Sequence, residues 1–173
     1  IDVTLNDNSH TLDGFIEIEY TNNAKTNLDI LWFHLWPNAY KNNSTALANQ
    51  KLEEGNTEFA YATDTERGYI DSLQFKVDQK LIHWEYHPEY IDICKLILAQ
   101  PLGPGQTIKI TTPFWVKIPD AKFSRLGHVE QSYMITQWYP KPAVYDQDGW
   151  HAMPYLNQGE FYSEFGSFDV KIT

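Results

Sequence analysis

Two histidines and a glutamate alternate in the segment His83-Trp84-Glu85-Tyr86-His87. On a β-strand, side chains two residues apart share a face, so His83, Glu85 and His87 would line up there. Two imidazoles and a carboxylate are a common set of zinc ligands. However, on a strand they extend over about 13 Å, which is too far for one metal ion, and the spacing differs from the helical H-E-x-x-H motif. We therefore expect a solvent-facing hairpin surface and no metal site, with the opposite face formed by Ile82, Trp84 and Tyr86.

No motif in the sequence marks a catalytic nucleophile. The patterns G-x-S-x-G, G-x-x-x-x-G-K-[ST] and G-x-G-x-x-G are all absent. The single cysteine, Cys94, lies in the hydrophobic run from Ile91 to Leu98, which favours a buried apolar residue over a reactive thiol. No two carboxylates are spaced as an acid and base pair. We therefore expect no catalytic residue in this chain alone.

The segment from 137 to 166 is the densest in aromatic residues, and prolines and glycines interrupt it repeatedly. Long ordered loops of this kind are usually functional or cover an interface. Its rings could stack on sugars or pack against a partner domain, or the loop could fold over the core of its own sheet. The sequence leaves these alternatives open. The nine aromatic residues between positions 138 and 168 are Trp138, Tyr139, Tyr145, Trp150, Tyr155, Phe161, Tyr162, Phe165 and Phe168.

Alternating apolar and polar residues predict that strands position these segments. The pattern runs through Ile1–Leu5, Ile16–Tyr20, Leu73–Val77 and Phe168–Ile172, whereas Leu28–Trp36 and Ile91–Leu98 are apolar on both faces. Further strands are expected at Leu81–Tyr86, Ile108–Ile110, Phe114–Ile118 and Tyr133–Gln137, with a turn at Gln100–Gly105 and one short helix near Thr45–Leu52. The predicted fold is an all-β, saddle-like or sandwich domain of about nine mostly antiparallel strands.

Length and charge exclude several classes of protein. The chain has 173 residues, which suits a single domain with a real core, and a formal net charge of −10. Such an acidic chain lacks the electrostatic footprint of a nucleic-acid-binding protein. No apolar stretch is long enough to cross a bilayer, and one cysteine excludes an internal disulfide. Because the chain begins at Ile1 and stops at Thr173 within an alternating pattern, we expect residues 1–173 to be excised from a longer polypeptide.

Several segments resemble blocks of one family, in the family's order. Ile135-Thr136-Gln137-Trp138-Tyr139-Pro140-Lys141-Pro142-Ala143 resembles the T-Q-F-E-P-x-x-A-R block of the aminopeptidase-N-like zinc metallopeptidases, the gluzincins that include aminopeptidase N and leukotriene hydrolase. Leu31–Ala39 resembles the family's hydrophobic strand ending in L-x-P-N, and Pro101–Gln106 its P-L-x-P-G turn. The longer form here, with Gly149–His151 and Gly159–Glu164, is similar to the branch common in Bacteroidetes.

The resemblance implies a saddle-shaped N-terminal β-domain whose last strand, Phe168–Thr173, leads into a catalytic domain. It implies that zinc is bound in that absent domain, and that this chain packs on the catalytic domain and lines the peptide-substrate cleft. Gln137 matches the glutamine that lines the pocket. Tyr139 stands where the family has a glutamate that binds the substrate's α-amine, and Val144 stands where it has an arginine.

Relatives in this branch imply a periplasmic, cell-surface or secreted location. The alternative function from a different class is a carbohydrate- or protein-binding β-sandwich module. That reading depends on the aromatic content and the acidic surface, and it treats the family-like blocks as coincidence.

Overall fold

A computed structural model describes all residues, 1–173, and confirms the all-β class. Strands hold 41% of the residues and helical turns only 8%, and most strand pairs are antiparallel. In chain order the elements are β1 (Asp2–Asn6), β2 (Thr11–Thr21), β3 (Leu28–His34), a 3₁₀ turn (Trp36–Tyr40), α1 (Ala46–Glu53), β4 (Tyr69–Asp71), β5 (Lys76–Val77), β6 (Lys80–Leu81), β7 (Trp84–Tyr86), β8 (Ile93–Leu102), β9 (Thr107–Lys117), β10 (Gly127–Val129), β11 (Ser132–Met134), β12 (Lys141–Pro142), β13 (Val144–Asp146), β14 (Gly149–His151) and β15 (Lys171–Ile172).

Two sheets form the sandwich-like body of the molecule. The larger has the order β15-β1-β2-β9-β5-β6, with β4 also on β9, and the smaller has the order β12-β3-β8-β7. The long pair β2–β9 is antiparallel and stays in register from Thr11 opposite Lys117 to Thr21 opposite Thr107. Ile16 on β2 is buried while Glu17 and Glu19 are exposed, so the alternation in the sequence places one apolar face toward the other sheet.

The main core lies between these sheets and contains sixteen buried residues. Phe114 and Val116 reach it from β9, and Leu31, Phe33 and Leu96 reach it from the smaller sheet.

Strand β9 contains a proline, Pro113, which has no backbone N–H to donate to a neighbouring strand. It lies opposite Phe15 of β2, and on the other edge of β9 it falls between the residues paired with β5 and those paired with β4.

A second core of nine buried residues lies under the 3₁₀ turn and α1, and the sequence pattern does not predict it. The 3₁₀ turn begins with a proline in its first positions, as proline's fixed φ favours. Helix α1 confirms the predicted short helix, because the Thr45 side chain accepts a hydrogen bond from the Ala48 N–H and caps it. Members of this core include Trp36, Tyr40, Leu47, Phe59, Phe123, Leu126 and Tyr155.

Fifteen strands, most of them short, replace the nine predicted. The predicted strand Leu81–Tyr86 is wrong as one element, since its two ends belong to different sheets as β6 and β7. The strand predicted to reach Gln137 ends at Met134, and Gln137 has a left-handed φ of 53°, which is not a strand conformation. In contrast, β8 continues through Leu102, so only the last part of the predicted turn is a turn, with Gly105 at φ 73°.

The last strand, β15, covers only Lys171–Ile172 and lies parallel to β1 at the edge of the larger sheet. Backbone hydrogen bonds from Lys171 to Ile1 and from Thr173 to Val3 hold it there. Its two side chains are exposed, as are most residues from 164 onward. None of the helical elements is both long and apolar enough to cross a lipid bilayer.

Candidate functional site

His83, Glu85 and His87 do not form a common site. Glu85 binds Lys95 across the sheet at 2.7 Å, and this bond lowers the pKa of its carboxyl group. The His83 Nε2 atom lies 3.7 Å from Glu85, and 70% of its side chain is exposed. His87 stacks on Tyr90 instead, with ring centroids 5.1 Å apart. No group of three or more histidine, cysteine, aspartate or glutamate side chains in the structure is arranged to hold a metal ion.

Cys94 lies in the main core, as the hydrophobic run around it predicts. Its side chain is fully buried, and burial raises the pKa of the thiol well above its ordinary value. A thiol that stays protonated at neutral pH is a poor nucleophile. The residue therefore acts as a small apolar packing group on β8.

The aromatic loop divides into two parts. Six of its nine rings pack against the two cores of the domain itself, so this part of the loop folds over its own sheet. The other three rings are exposed, and Phe165 is completely so. The packed part agrees with the expectation that the loop folds over the core of its own sheet. The packed rings are Trp138, Tyr139, Tyr145, Trp150, Tyr155 and Phe161, and the exposed rings are Tyr162, Phe165 and Phe168.

Gln137 and Tyr139 have separate surroundings, although two residues apart. The Gln137 Oε1 atom accepts a hydrogen bond from the Lys141 ammonium group. The Tyr139 ring packs edge-on against Trp138 at 5.4 Å and against Phe168 at 6.0 Å. Burial raises the pKa of the Tyr139 phenol, so the phenol is neutral at physiological pH. The Tyr139 hydroxyl group makes no side-chain hydrogen bond to another residue of the chain.

The centre of this region is Lys141, the first residue of β12. It pairs with His34 of β3, so the short strand carries its side chain onto the end of the smaller sheet. The ammonium group donates to Gln137 and to the Ser163 Oγ atom at 2.9 Å, and it lies 4.4 Å from the centre of the Trp36 ring. Burial lowers the pKa of Lys141 to about 8. We name Gln137, Lys141, Ser163 and Trp36 the Lys141 site.

His34 and Trp36 support this site from below. Their rings stack with centroids 4.2 Å apart. The His34 Nε2 atom accepts a hydrogen bond from the Met153 N–H at 3.2 Å, and the Trp36 indole N–H donates to the Met153 carbonyl at 3.1 Å. Burial, with a smaller effect of the nearby Lys141 charge, lowers the pKa of His34 to about 3. The imidazole is therefore a neutral acceptor that anchors Met153.

Asp92 anchors the same segment two residues further on. Its Oδ2 atom accepts the Tyr155 N–H at 2.7 Å, while its buried Oδ1 atom has no partner within the chain. Burial outweighs the stabilising backbone hydrogen bonds and raises the pKa of Asp92 to about 6. Side chains of His34 and Asp92 thus hold alternate N–H groups of residues 153–155, in place of a sheet ladder.

A polar group next to the Lys141 site fixes the segment that carries Ser163. On the hairpin β13–β14, the His151 Nε2 atom lies 2.8 Å from Asp146 Oδ1, and the Tyr162 hydroxyl donates to Asp146 Oδ2 at 3.2 Å. The bond to His151 is the main reason that the pKa of Asp146 is lowered. Since Tyr162 is held by this pair and its neighbour Ser163 by Lys141, the segment has two polar anchors.

Two shallow cavities lie away from these residues. One, of about 440 Å³, is lined by β1, β2 and the end of β15, and the other, of about 240 Å³, lies between Tyr20, Tyr145 and Glu164. Neither is lined by Gln137 or Tyr139.

Sequence patterns do not single out His34, Asp92, Lys141 or Ser163 for a role. One signal points to Lys141: no acidic residue occurs between Glu130 and Asp146, in a chain with 23 acidic residues. A lysine in such a stretch has no local partner for its charge. The other three residues are brought together only by the tertiary fold.

The fold and the site define an all-β, sandwich-like domain with a half-buried lysine on an aromatic support. No protein-family model matches the chain, and no curated protein sequence is similar to it.

Proposed function

We propose that the chain is the non-catalytic N-terminal β-domain of an aminopeptidase-N-like zinc metallopeptidase. It packs on the catalytic domain of the same polypeptide and lines the peptide-substrate cleft. Three blocks along the chain support this proposal: Leu31–Ala39, Pro101–Gln106 and Ile135–Ala143 resemble that family in order. An all-β, sandwich-like fold agrees with the N-terminal domain that the resemblance implies.

The observation that carries the proposal is a row of uncovered apolar side chains at the end of the chain. Apolar residues at alternate positions are exposed here: Phe168 at 59%, Val170 at 47% and Ile172 at 70%, with Phe165 fully exposed before them. Large apolar side chains left exposed close together in the chain are typical of an interface in soluble proteins. The row continues from the loop whose last strand, by resemblance, leads into the catalytic domain.

Tyr139 adjoins that row, since its ring centroid lies 6.0 Å from that of Phe168, and Gln137 is two residues earlier in the chain. Docking of a second domain on the row would therefore enclose the surface beside Gln137 and Tyr139 and complete a cleft. Tyr139 supplies a neutral hydroxyl where the family has a carboxylate, so it offers the α-amine of a peptide a weaker interaction. Val144 is buried, and an arginine charge at this position would have no place in the core.

Zinc belongs to the catalytic domain in this proposal, and no residue of this chain is assigned to it. The domain performs no chemical step; it positions and encloses the peptide. An exported location, in the periplasm or at the cell surface, is proposed from the same resemblance.

The first test is to read the frame beyond codon 173 and to express the protein that it encodes. We expect G-x-M-E-N, then H-E-x-x-H and a downstream glutamate, and cleavage of peptide substrates. In that protein Gln137→Ala should lower kcat/KM about tenfold, the effect of one lost hydrogen bond to substrate, whereas the exposed Gln131→Ala should not. Tyr139→Glu should lower KM for peptides with a free α-amine.

A frame that ends soon after codon 173, or one without a gluzincin-like domain, would refute the proposal. In that case the exposed rings favour the second candidate, a carbohydrate- or protein-binding β-sandwich module. Tyr61 is 84% exposed and Phe165 completely exposed, as rings that stack on ligands are. Titration of the chain with soluble polysaccharides, followed by tryptophan fluorescence, distinguishes the two, because the peptidase-domain proposal predicts no binding.

A further inference from the structure

Lys141 is a half-buried cation without a counter-ion. The ion pairs within the chain involve Lys95, Lys109, Lys122 and two histidines, and none of them includes Lys141. The absence is notable because the chain carries 23 acidic against 13 basic residues. Buried charges are usually paired, since transfer from water is costly. At this position the domain instead supplies an aromatic ring and two neutral oxygen atoms.

Three groups of the Lys141 site carry unused hydrogen-bond donors. An ammonium group has three N–H bonds, and the two that bind Gln137 and Ser163 leave one free. Because lysine only donates, Gln137 must present its oxygen to it, which leaves the amide NH₂ of Gln137 without a partner in the chain. The Ser163 hydroxyl likewise accepts from lysine and keeps its own O–H free. All three residues are partly exposed.

A carboxylate matches these donors in both charge and geometry. It accepts hydrogen bonds at two oxygen atoms, and a bond from an ammonium group to a carboxylate is about twice as strong as one between neutral groups. The Trp36 ring beneath the ammonium restricts access of water from one side and strengthens the attraction. A neutral ligand would make the same hydrogen bonds without relieving the unpaired charge.

We infer that Lys141, Gln137 and Ser163 form a subsite for a carboxylate group of a peptide. The assignment of a peptide as the ligand depends on the function proposed above, whereas the assignment of a carboxylate depends only on this geometry. The carboxylate comes either from an aspartate or glutamate side chain or from the C-terminus of the peptide, and the two sources are separated by experiment.

Occupation of the subsite has a consequence for protonation. A bound carboxylate stabilises the ammonium form, so it raises the pKa of Lys141 from about 8 toward the ordinary value of 10.5. Binding at pH 9 therefore takes up a proton, and the affinity falls as the pH rises above about 8. At pH 7 most Lys141 side chains are already protonated, so binding of a carboxylate takes up few protons.

The test uses the chain 1–173 and three capped pentapeptides: acetyl-Ala-Ala-Glu-Ala-Ala-amide, the same peptide with glutamine, and the glutamine peptide with a free C-terminus. Binding is followed at pH 7 and pH 9 by NMR of the lysine side-chain signals. We expect saturable shifts of Lys141 with the glutamate peptide, the free C-terminal peptide or both, and none with the amidated glutamine peptide. The responding peptide identifies the source of the carboxylate.

Lys141→Met should weaken this binding at least about tenfold, and Ser163→Ala should weaken it less, since the loss of a charged partner exceeds that of a neutral one. Lys25→Met is the matched control, because Lys25 is exposed and makes no hydrogen bond in the structure, and it should leave the affinity unchanged within twofold. The NMR spectrum shows whether Lys141→Met is folded; Ser163→Ala provides the second variant if it is not.

Equal responses to the glutamate and amidated glutamine peptides, no response to any peptide, or equal effects of Lys141→Met and Lys25→Met would each overturn the inference. Its failure is distinguishable from failure of the proposed function. A peptidase parent in which Lys141→Met cleaves glutamate and glutamine peptides with unchanged preference refutes the subsite alone. Carboxylate binding by a chain with no downstream peptidase domain refutes the parent alone.

Discussion

Replacement of Asp92 by asparagine should stabilise the domain at pH 8. Asp92 is 1% exposed, and its ionised carboxyl group accepts the Tyr155 N–H at Oδ2, while Oδ1 has no hydrogen-bond partner. Asparagine has the same shape and keeps an oxygen for that N–H, but it carries no charge. The variant therefore removes a buried, incompletely compensated anion and leaves the anchoring hydrogen bond in place.

The magnitude follows from the pKa of Asp92, which burial raises from 3.8 to about 6. That difference corresponds to about 3 kcal/mol for ionising the group in the folded protein rather than in the unfolded chain. The asparagine NH₂ takes the place of the unpartnered oxygen and costs about 1–2 kcal/mol if it finds no acceptor. We therefore expect Asp92→Asn to raise the free energy of unfolding by about 1–3 kcal/mol at pH 8.

The pH dependence gives a sharper test, because His34 and Asp92 act in opposite directions. The folded state binds a proton at Asp92 more tightly than the unfolded chain, so Asp92 adds stability below pH 3.8 and loses it as the pH rises through about 6. His34 has a folded pKa of about 3, so its contribution is present above pH 6.5 and is lost as the pH falls toward 3.

Between pH 8 and pH 5 these terms nearly cancel in the unmodified domain. His34 lowers the free energy of unfolding by about 2 kcal/mol over this range, and Asp92 raises it by a smaller amount, on the order of 1 kcal/mol. Asp92→Asn should therefore lose about 2 kcal/mol between pH 8 and pH 5, and the unmodified domain less than about 1 kcal/mol from these two groups. Urea denaturation followed by the fluorescence of the six tryptophans measures each value.

The reasoning would be refuted if Asp92→Asn were less stable than the unmodified domain at pH 8. It would also be refuted if both proteins lost the same free energy of unfolding between pH 8 and pH 5. His34→Gln is the complementary control, because it removes the opposing group. Its loss of stacking on Trp36 lowers stability at every pH, so the comparison uses only the change between pH 8 and pH 5. In this variant stability should rise as the pH falls, as expected from Asp92 alone.

Three further substitutions test the packing, the helix cap and the exposed row. Gly14→Ala should cost about 1–3 kcal/mol in urea denaturation, because a Cβ atom would lie 2.3–2.8 Å from ring atoms of Phe114. Thr45→Ala should cost about 1–2 kcal/mol by the same assay, through loss of the cap on the Ala48 N–H. Phe165→Ser should leave stability within about 0.5 kcal/mol and reduce self-association measured by sedimentation velocity.

Each of these has a matched comparison in the chain. Gly166→Ala places its Cβ 3.6 Å from the nearest atom and should leave the free energy of unfolding unchanged. If Gly14→Ala and Gly166→Ala changed this free energy equally, the packing argument would be contradicted. The Ser44 hydroxyl makes no hydrogen bond. Ser44→Ala should therefore leave the free energy of unfolding unchanged, whereas Thr45→Ala should lower it. Unchanged self-association of Phe165→Ser would show that the row of exposed residues is not an adhesive surface.

Local sequence rules predict the elements whose stability is local. The helix near Thr45 is one such element, because the residue that caps it lies next to its first residue in the sequence. The alternation from Ile16 to Tyr20 likewise predicts β2, because a half-buried strand needs a period of two. Asp78 and Gln79 form the predicted turn between β5 and β6, and both have positive φ.

Elements that depend on distant partners could not be predicted in this way. The segment Leu81–Tyr86 alternates like one strand, yet its ends pair with strands of different sheets. The second core gathers residues from the 3₁₀ turn, from α1 and from positions 59, 123 and 155, and no local period connects them. Asp92 falls in an apolar run, where its role as an acceptor for Tyr155 is invisible until the two segments meet.

Gln137 links the family-like block to the Lys141 site, and this link constrains both proposals. Its left-handed φ turns the chain after β11, and its amide oxygen is held by Lys141. The residue expected to line the cleft is therefore oriented by a cation four positions later. Mutation of either residue removes the hydrogen bond that orients the other, so the effects of the two mutations on peptide binding should not be additive. A double-mutant cycle with Gln137→Ala and Lys141→Met that gives additive effects would separate the subsite from the cleft residue.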